Sequence, residues 1–366
     1  MKIAEIFKKV PDFRNESYIT YNLSEILVIS LCAVLSGAED FEEIAEYGRQ
    51  KEEFLKQFLE LPNGVPAHDT YNRVFRNMDT KHFEKVLKEW SKEILKDLSS
   101  YQINIDGKVL RATGERGKKT AAICIVSAWA SEHCLSLGQV KVDKKSNEKT
   151  AIPEIIEAVD IKGALVSIDA MGCHRHIAKL IKDNEGDYLL ALKKNQKGLY
   201  EEVHDWMKKH KATMDCFVQT DYVGGRIEKR TTYVTNNLLY IDELADWPAS
   251  KTIIMVEGER TFKNGLEKNT FHTRYYVSSA DKDATYFGNC TRNHWSIENQ
   301  LHWYLDVVFN EDNQRVREGN GPENMTTLRK MALQNLLEHK GKGSLKKARK
   351  KAAWNENFLL EILRSL

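Results

Sequence analysis

The period of the apolar pattern changes at residue 101, and that change limits what the chain can build. Before it, apolar residues recur at helical spacing over 23–34, 41–47, 54–59 and 83–98. The stretch Leu61-Pro62-Asn63-Gly64-Val65-Pro66 is loop chemistry, and His68-Asp69-Thr70 offers a cap to a further helix over 71–77. After it, 101–106 alternates and is β-rich, and 121–130 and 134–142 read as two more strands. A helix over 150–159 follows, with Pro153 tolerable in its first turn. Then come a short buried strand over 164–170, a helix over 176–184, a strand over 187–193 and a helix over 199–210. Three strands followed by alternating helix and strand predict a mixed sheet with helices packed on it. Residues 216–280 break the alternation, with strand-like runs at 216–220, 230–235, 252–256 and 271–278 and a Gly224-Gly225 turn. They read as a β-rich insertion, about 213–280. Helical spacing resumes from 284 to about 310, Pro322 punctuates, and 325–337 forms another helix. The expected organisation is an all-α N-terminal domain over 1–98 and an α/β domain over 99–366.

Composition adds where charge sits. Hydrophobic residues make up 42% and charged residues 30%, which excludes a disordered chain. The net charge is +2, so bulk charge does not mark a nucleic-acid binder. Residues 1–100 carry 14 Lys or Arg against 18 Asp or Glu, which argues against phosphate binding by that whole surface. Residues 323–366 carry 10 against 4, and Lys340 to Lys351 holds seven bases and no acid. That run is either a solvated helix face or a phosphate-contacting tail. Six scattered cysteines with no C-x-x-C pair fit a reducing cytoplasm. The first residues show no apolar signal region, and the longest apolar stretch, 26–35, is too short to span a bilayer. The expectation is a cytoplasmic chain with no membrane partner.

Two aspartates stand at predicted strand ends, Asp106 before Gly107 and Asp169 in Ser167-Ile168-Asp169-Ala170. Carboxylates there are costly unless exposed in a crevice, paired or bound to metal. Strand ends of open α/β sheets also face the ligand crevice. Two of them suit a hard cation, Mg²⁺ or Mn²⁺, which wants oxygen ligands. Glu298 lies in His294-Trp295-Ser296-Ile297-Glu298-Asn299-Gln300-Leu301-His302-Trp303, and helical geometry sets it on one face with His302. Together the three acids could hold two ions about 4 Å apart and act on a phosphodiester.

Ile105-Asp106-Gly107-Lys108-Val109-Leu110-Arg111 resembles the first-aspartate motif of bacterial insertion-sequence DDE transposases, most closely the H-repeat-associated proteins found beside Rhs elements. Asp169-Ala170-Met171-Gly172-Cys173, Gly186 to Lys193 and Asn195-Gln196 resemble the second block. His294-Trp295, Ile297-Glu298-Asn299, Leu301-His302-Trp303, Leu305-Asp306-Val307, Phe309 and Glu311-Asp312 resemble the third. Leu61-Pro62-Asn63-Gly64 and His68-Asp69-Thr70 also match, so the resemblance covers nearly the whole chain in order. It implies a ribonuclease H-like α/β fold with flanking helices and a β-rich insertion. It also implies Asp106, Asp169 and Glu298 as catalytic and metal-binding residues with Mg²⁺ or Mn²⁺, and double-stranded DNA as partner, held by a homodimer or higher oligomer. The chain departs from the family in places. Arg111-Ala112-Thr113 stands where Arg-Gly-Ser is usual, Lys194 where Gly is common, and His174-Arg175-His176 where a Gln-containing stretch is usual. Thr291, His294 and Leu305 occupy positions where related families carry Tyr, Arg and Lys.

Lys108, Arg111, Lys193 and Lys194 are candidate phosphate contacts, or surface bases of an ordinary kind. Asn195 either binds DNA or caps the next helix. Arg292, His294 and His302 flank Glu298 and are candidates for touching the scissile strand. Asp306 and Asp312 fit salt bridges or caps better than metal. Cys173, His174 and His176 read as a polar helix start rather than zinc ligands, and Trp247 as core rather than a base-stacking platform. Residues 68–76 are the candidate DNA-contacting element of the N-terminal part.

Overall fold

The computed structural model describes residues 2–95, 98–114, 121–142, 148–262 and 269–365. Ahead of the first strand come α1 (Lys2–Phe7), α2 (Leu23–Leu35), α3 (Phe41–Gln50), α4 (Glu52–Leu55), α5 (His68–Asn77) and α6 (Thr80–Ile94). Helix α2 is mostly apolar around its circumference, and all its residues but Ser24 are buried, as expected of a helix at the centre of a core. Helix α4 ends at Leu55, short of the 54–59 read from the sequence. His68-Asp69-Thr70 form the first turn of α5 rather than its cap, which is Ala67 with no side-chain bond. Residues 96–97 of the predicted 83–98 helix lie outside the described residues.

The strands are β1 (Gln102–Leu110), β2 (Ile123–Ala130), β3 (Leu135–Lys141), β4 (Leu165–Ile168), β5 (Asp187–Leu192), β6 (Asp215–Val223), β7 (Arg226–Thr235), β8 (Thr252–Phe262) and β9 (Thr270–Ser278). They form one mixed sheet in the order β3-β2-β1-β4-β5-β9-β8-β7-β6. Strand β4 runs parallel to β1 and β5, and the other neighbours are antiparallel. Helices α7 (Glu148–Ala158) and α8 (Arg175–Asp183) make the crossovers into β4 and β5, and α9 (Lys197–His210) follows. The β-rich stretch does not fold by itself. Strand β9 pairs with β5 through Leu190↔Val277 and Ala191↔Tyr276, so β6–β9 continue the central sheet.

After the sheet come α10 (Ala284–His294), a π-helical turn (Ile297–His302), α11 (Trp303–Val307), α12 (Gly321–His339), α13 (Leu345–Trp354) and α14 (Glu356–Ser365). Helix α12 is buried from Gly321 to Leu336 although much of it is polar. Its polar groups are spent on neighbours. Asn324 donates to the carbonyls of Phe75 and Met78 at the end of α5, and Arg329 to Glu39 O. Lys330 donates to Ser127 and Gln139, both at 2.7 Å, on the sheet. Through α12 the N-terminal helices and the sheet share one apolar core running from Ile3 to Leu363. A smaller cluster, including Leu189, Ile254, Tyr276 and Phe287, lies under α10. No helix of the described residues is long and apolar enough to cross a membrane.

Glu84, on α6, is buried near Lys88, Glu323, Lys330 and Gln139, and burial pushes its carboxyl up to about 7. A carboxyl raised in the folded state contributes stability below its ordinary value, and this is lost as pH rises through about 7. Glu84→Gln should therefore raise the thermal midpoint relative to the parent at pH 8, with the gap closing toward pH 5. A constant gap across that range would reject the assignment.

Candidate active site

Strand parity builds the site. Gln102, Asn104, Asp106 and Lys108 alternate with Ile103 and Ile105 along β1, so the polar residues share one face of the sheet. That face receives α10 and the π-helical turn. Gln102 Nε2 donates to Cys290 O at 2.9 Å, and Asn104 Nδ2 to Asn293 O at 2.9 Å and Ser296 Oγ at 3.1 Å. Ser167 Oγ on β4 donates to Asn104 Oδ1 and lies 2.9 Å from His294 Nδ1. This buried polar seam fixes the helix that carries Glu298 over the two strands that carry the aspartates. Asn104→Ala would strand several of these groups, at about 1–3 kcal/mol each. It should lower the thermal midpoint by several degrees. An unchanged midpoint would sink this account of the seam.

Strand β1 continues four residues past Asp106, so this residue is not at a strand end as the sequence suggested. It stands instead where the parallel neighbour stops. The last β1–β4 pair is Ile105↔Ile168, and Asp106 and Asp169 are the next residue of each strand. Asp106 still pairs with Ser127 on β2, because the antiparallel ladder runs on. Asp169 Oδ1 accepts from Met171 N at 2.8 Å, capping the turn at Ala170–Gly172. Asn195 Nδ2 donates to Ala170 O at 2.7 Å and ties the same turn to the segment after β5.

Asp106, Asp169 and Glu298 line one cavity of about 310 Å³, with Ala191, Lys193, Arg274 and Trp295 among its other walls. Both aspartates are half-buried and Glu298 is exposed. Among the described residues no three His, Cys, Asp or Glu side chains are grouped tightly enough to form a ready-made metal cage. The donor set fits a divalent cation of another kind. Three hard carboxylates from three elements suit an ion that keeps water and substrate oxygens as its remaining ligands.

Glu298 lies on the π-helical turn, a wider and rarer geometry often found at functional sites. His302 ends that turn, buried, with Nδ1 3.6 Å from Asp106 Oδ2. Burial, with Lys330 and Lys108 nearby, pushes its imidazole down to about 3. Burial likewise pushes His294 down to about 4, against the Asp169 charge. Both rings are therefore neutral at physiological pH, and His302 is buried behind Asp106 rather than presented to a DNA strand. Lys108 also faces inward. Its ammonium lies 2.6 Å from Asp306, 3.4 Å from Glu311 and 3.2 Å from Asp312, an internal ion cluster rather than a phosphate-facing charge. Asp306 and Asp312 thus act as its partners. Arg111 is exposed and lies 3.3 Å from Asp312.

Lys193 is exposed and lines the cavity; Lys194 and Asn195 are exposed on the turn beyond it. Arg292 is exposed and lies 3.7 Å from Asp221. Trp247 is buried in the core. Cys173 is buried, and His174 and His176 stack at 5.5 Å. Sequence reasoning missed Arg274, which lies over the Trp295 ring with Cζ 4.4 Å from its centroid. The sequence marked 271–278 as strand-like, but only the register of β9 with β5 brings Arg274 to the cavity.

A family model described as Transposase DDE domain matches residues 99–334, and one described as DDE_Tnp_1-associated matches residues 4–91. The chain is 40% identical to the putative transposase YncI of Escherichia coli O157:H7, over 99% of this chain and 94% of that protein. It is 37% identical to the H repeat-associated putative transposase YhhI of Escherichia coli K12, over 99% and 97%. Among solved structures, the piggyBac transposase synaptic complex with hairpin DNA is similar at a TM-score of 0.42 and 11% identity, over 99% of this chain and 79% of that one.

Proposed function

Because the chain belongs to the DDE transposase family, we propose that it cleaves phosphodiesters at transposon ends and joins the freed 3′-hydroxyl to target DNA, using Asp106, Asp169 and Glu298. The observation that carries this reading is the convergence of the three acids, from β1, the end of β4 and the π-helical turn, on one cavity. We read β3-β2-β1-β4-β5 with its crossovers as a ribonuclease H-like core, extended by β6–β9. The acting form is read as a homodimer or larger assembly on double-stranded DNA.

Asp106, Asp169 and Glu298 would hold Mg²⁺ or Mn²⁺, which supplies activation of the attacking oxygen and neutralisation of the leaving one. The protein's own groups supply the rest. The polar seam of Gln102, Asn104 and Ser167 keeps the carboxylates in register. His302 stands behind Asp106, its Nδ1 3.6 Å from Asp106 Oδ2. Lys193 and Arg274 bring fixed positive charge to the cavity wall, where the transition state spreads negative charge over phosphate oxygens.

The test is cleavage and joining of duplexes carrying the DNA that flanks the gene, in Mg²⁺ and in EDTA. Nicking in Mg²⁺ and joining of pre-cut 3′ ends is the expected result. Cleavage without joining would point to a nuclease. No Mg²⁺-dependent cleavage would leave a DNA-binding protein descended from a transposase.

A further inference from the structure

The acidic cavity shares Arg274, Tyr276, Trp295 and Glu298 with a second groove of about 550 Å³ over β7, β8 and β9. The register of the extended sheet explains why the two adjoin. Tyr276 pairs with Ala191, which borders the carboxylates. Two residues further along the same face of β9 is Arg274, and two beyond that is His272. Across the ladder His272 meets Gly258 and Arg230, and Arg260 meets Glu228. The carboxylates and the arginines thus occupy successive rows of one face.

Five guanidiniums line this groove, those of Arg226, Arg230, Arg260, Arg274 and Arg292. Three carboxylates stand against them: Glu298, shared with the acidic cavity, and two that pair with the arginines. Glu228 bridges Arg226, Arg230 and Arg260 at 2.8, 3.1 and 3.0 Å, and Asp221 contacts Arg230 and Arg292. These pairs hold the arginines in place but leave the groove positive. His272 registers the same field: burial first, then Arg274, Arg260 and Arg230, hold its imidazole below the ordinary value. Gly258 makes room for the His272 ring, because a Cβ there would lie 2.3 Å from it.

Arginine forks match phosphate oxygens two at a time, and an arginine laid on an aromatic ring is already oriented. At the end of α10, His294 is tied to Ser167 Oγ and burial holds its imidazole low, so the charge beside Glu298 comes from Arg274 on the sheet.

We propose that this groove is the track for the phosphodiester backbone of the DNA strand whose reactive phosphate lies at Asp106, Asp169 and Glu298, with Arg274 on Trp295 at the junction. The inference rests on the catalytic reading above.

The test is fluorescence-anisotropy binding of the full-length protein to a labelled duplex of about 40 base pairs from the gene's flank, in EDTA, with salt varied from about 50 to 200 mM. The triple variant Arg260→Gln, Arg274→Gln, Arg292→Gln should bind at least tenfold more weakly at the higher salt. Its slope of log affinity against log salt should flatten by about 2 to 3, since each phosphate left without a cationic partner removes about 0.9 from the slope. Arg292→Glu alone changes an exposed side chain, does not threaten folding, and should lose affinity in the same direction. A control triple on α13, Lys346→Gln, Lys347→Gln, Lys350→Gln, should bind like the parent. Unchanged affinity and slope in both groove variants, or an equal loss in the α13 control, would overturn the proposal. The two readings fail separately. If Asp169→Asn abolishes cleavage while the groove variants bind normally, only the track is wrong. If the parent cleaves nothing while the groove variants lose binding, the track stands and the catalytic reading falls.

Discussion

Asp169→Asn should reduce Mg²⁺-dependent cleavage by roughly a thousandfold or more and leave DNA binding intact. The substitution is nearly isosteric. An asparagine oxygen can still accept from Met171 N, so the turn that Asp169 caps should survive. What is lost is the negative charge that would help hold a divalent cation. Charge stabilisation of that kind is worth several kcal/mol, and each 1.36 kcal/mol is a factor of about ten in rate. Asp106→Asn and Glu298→Gln should behave alike if the three acids act as one unit, and a double variant should then lose little more than either single one. The measurement is nicking of a labelled duplex beside anisotropy binding of the same DNA. Residual cleavage within about tenfold of the parent for Asp169→Asn would remove it from the catalytic set.

Arg349→Ala should cost about 3–5 kcal/mol of stability, whereas Lys346→Ala, three residues earlier in the same basic run, should change it by no more than about 0.5 kcal/mol. Arg349 is buried on α13 and donates to the carbonyls of Val34, Ala38 and Val308. Its guanidinium also lies 4.6 Å from the centre of the Phe309 ring. Burial pushes it down to about 10, so it stays charged at neutral pH. Removing it takes a donor from three carbonyls at the junction of α2 and α11 with the C-terminal helices. Lys346 is exposed. Thermal or urea unfolding of the two variants decides the matter, and similar midpoints would mean that Arg349 is no anchor.

That contrast shows where the sequence could be read and where it could not. The order of helices and strands from β1 to α9 was legible because each period is a local property of a few side chains. The basic run looked uniform because charge composition does not say which member turns inward. Lys108 misled in the same way. It shares strand parity with Asp106, so a helix covering that face had to cover both, yet nothing local announced the partners Asp306, Glu311 and Asp312. The three acids stood out because each sits in a distinctive motif. Arg274 did not, because its place depends on a pairing between β5 and β9 that joins residues far apart in the chain. The four-strand stretch was visible as β-rich, but its fusion edge-to-edge with the central sheet was not.

That fusion bears on mechanics. The acid-bearing rows and the arginine-bearing rows belong to one hydrogen-bonded plate, with no linker or pivot between β5 and β9. A plate of this kind does not fold shut on its substrate. A duplex that reaches across both sets of rows has to conform to the protein's curvature, and the cost falls on the DNA as bending or unstacking. Sequences that deform cheaply at the cleavage point would then be cut faster even if no side chain reads their bases.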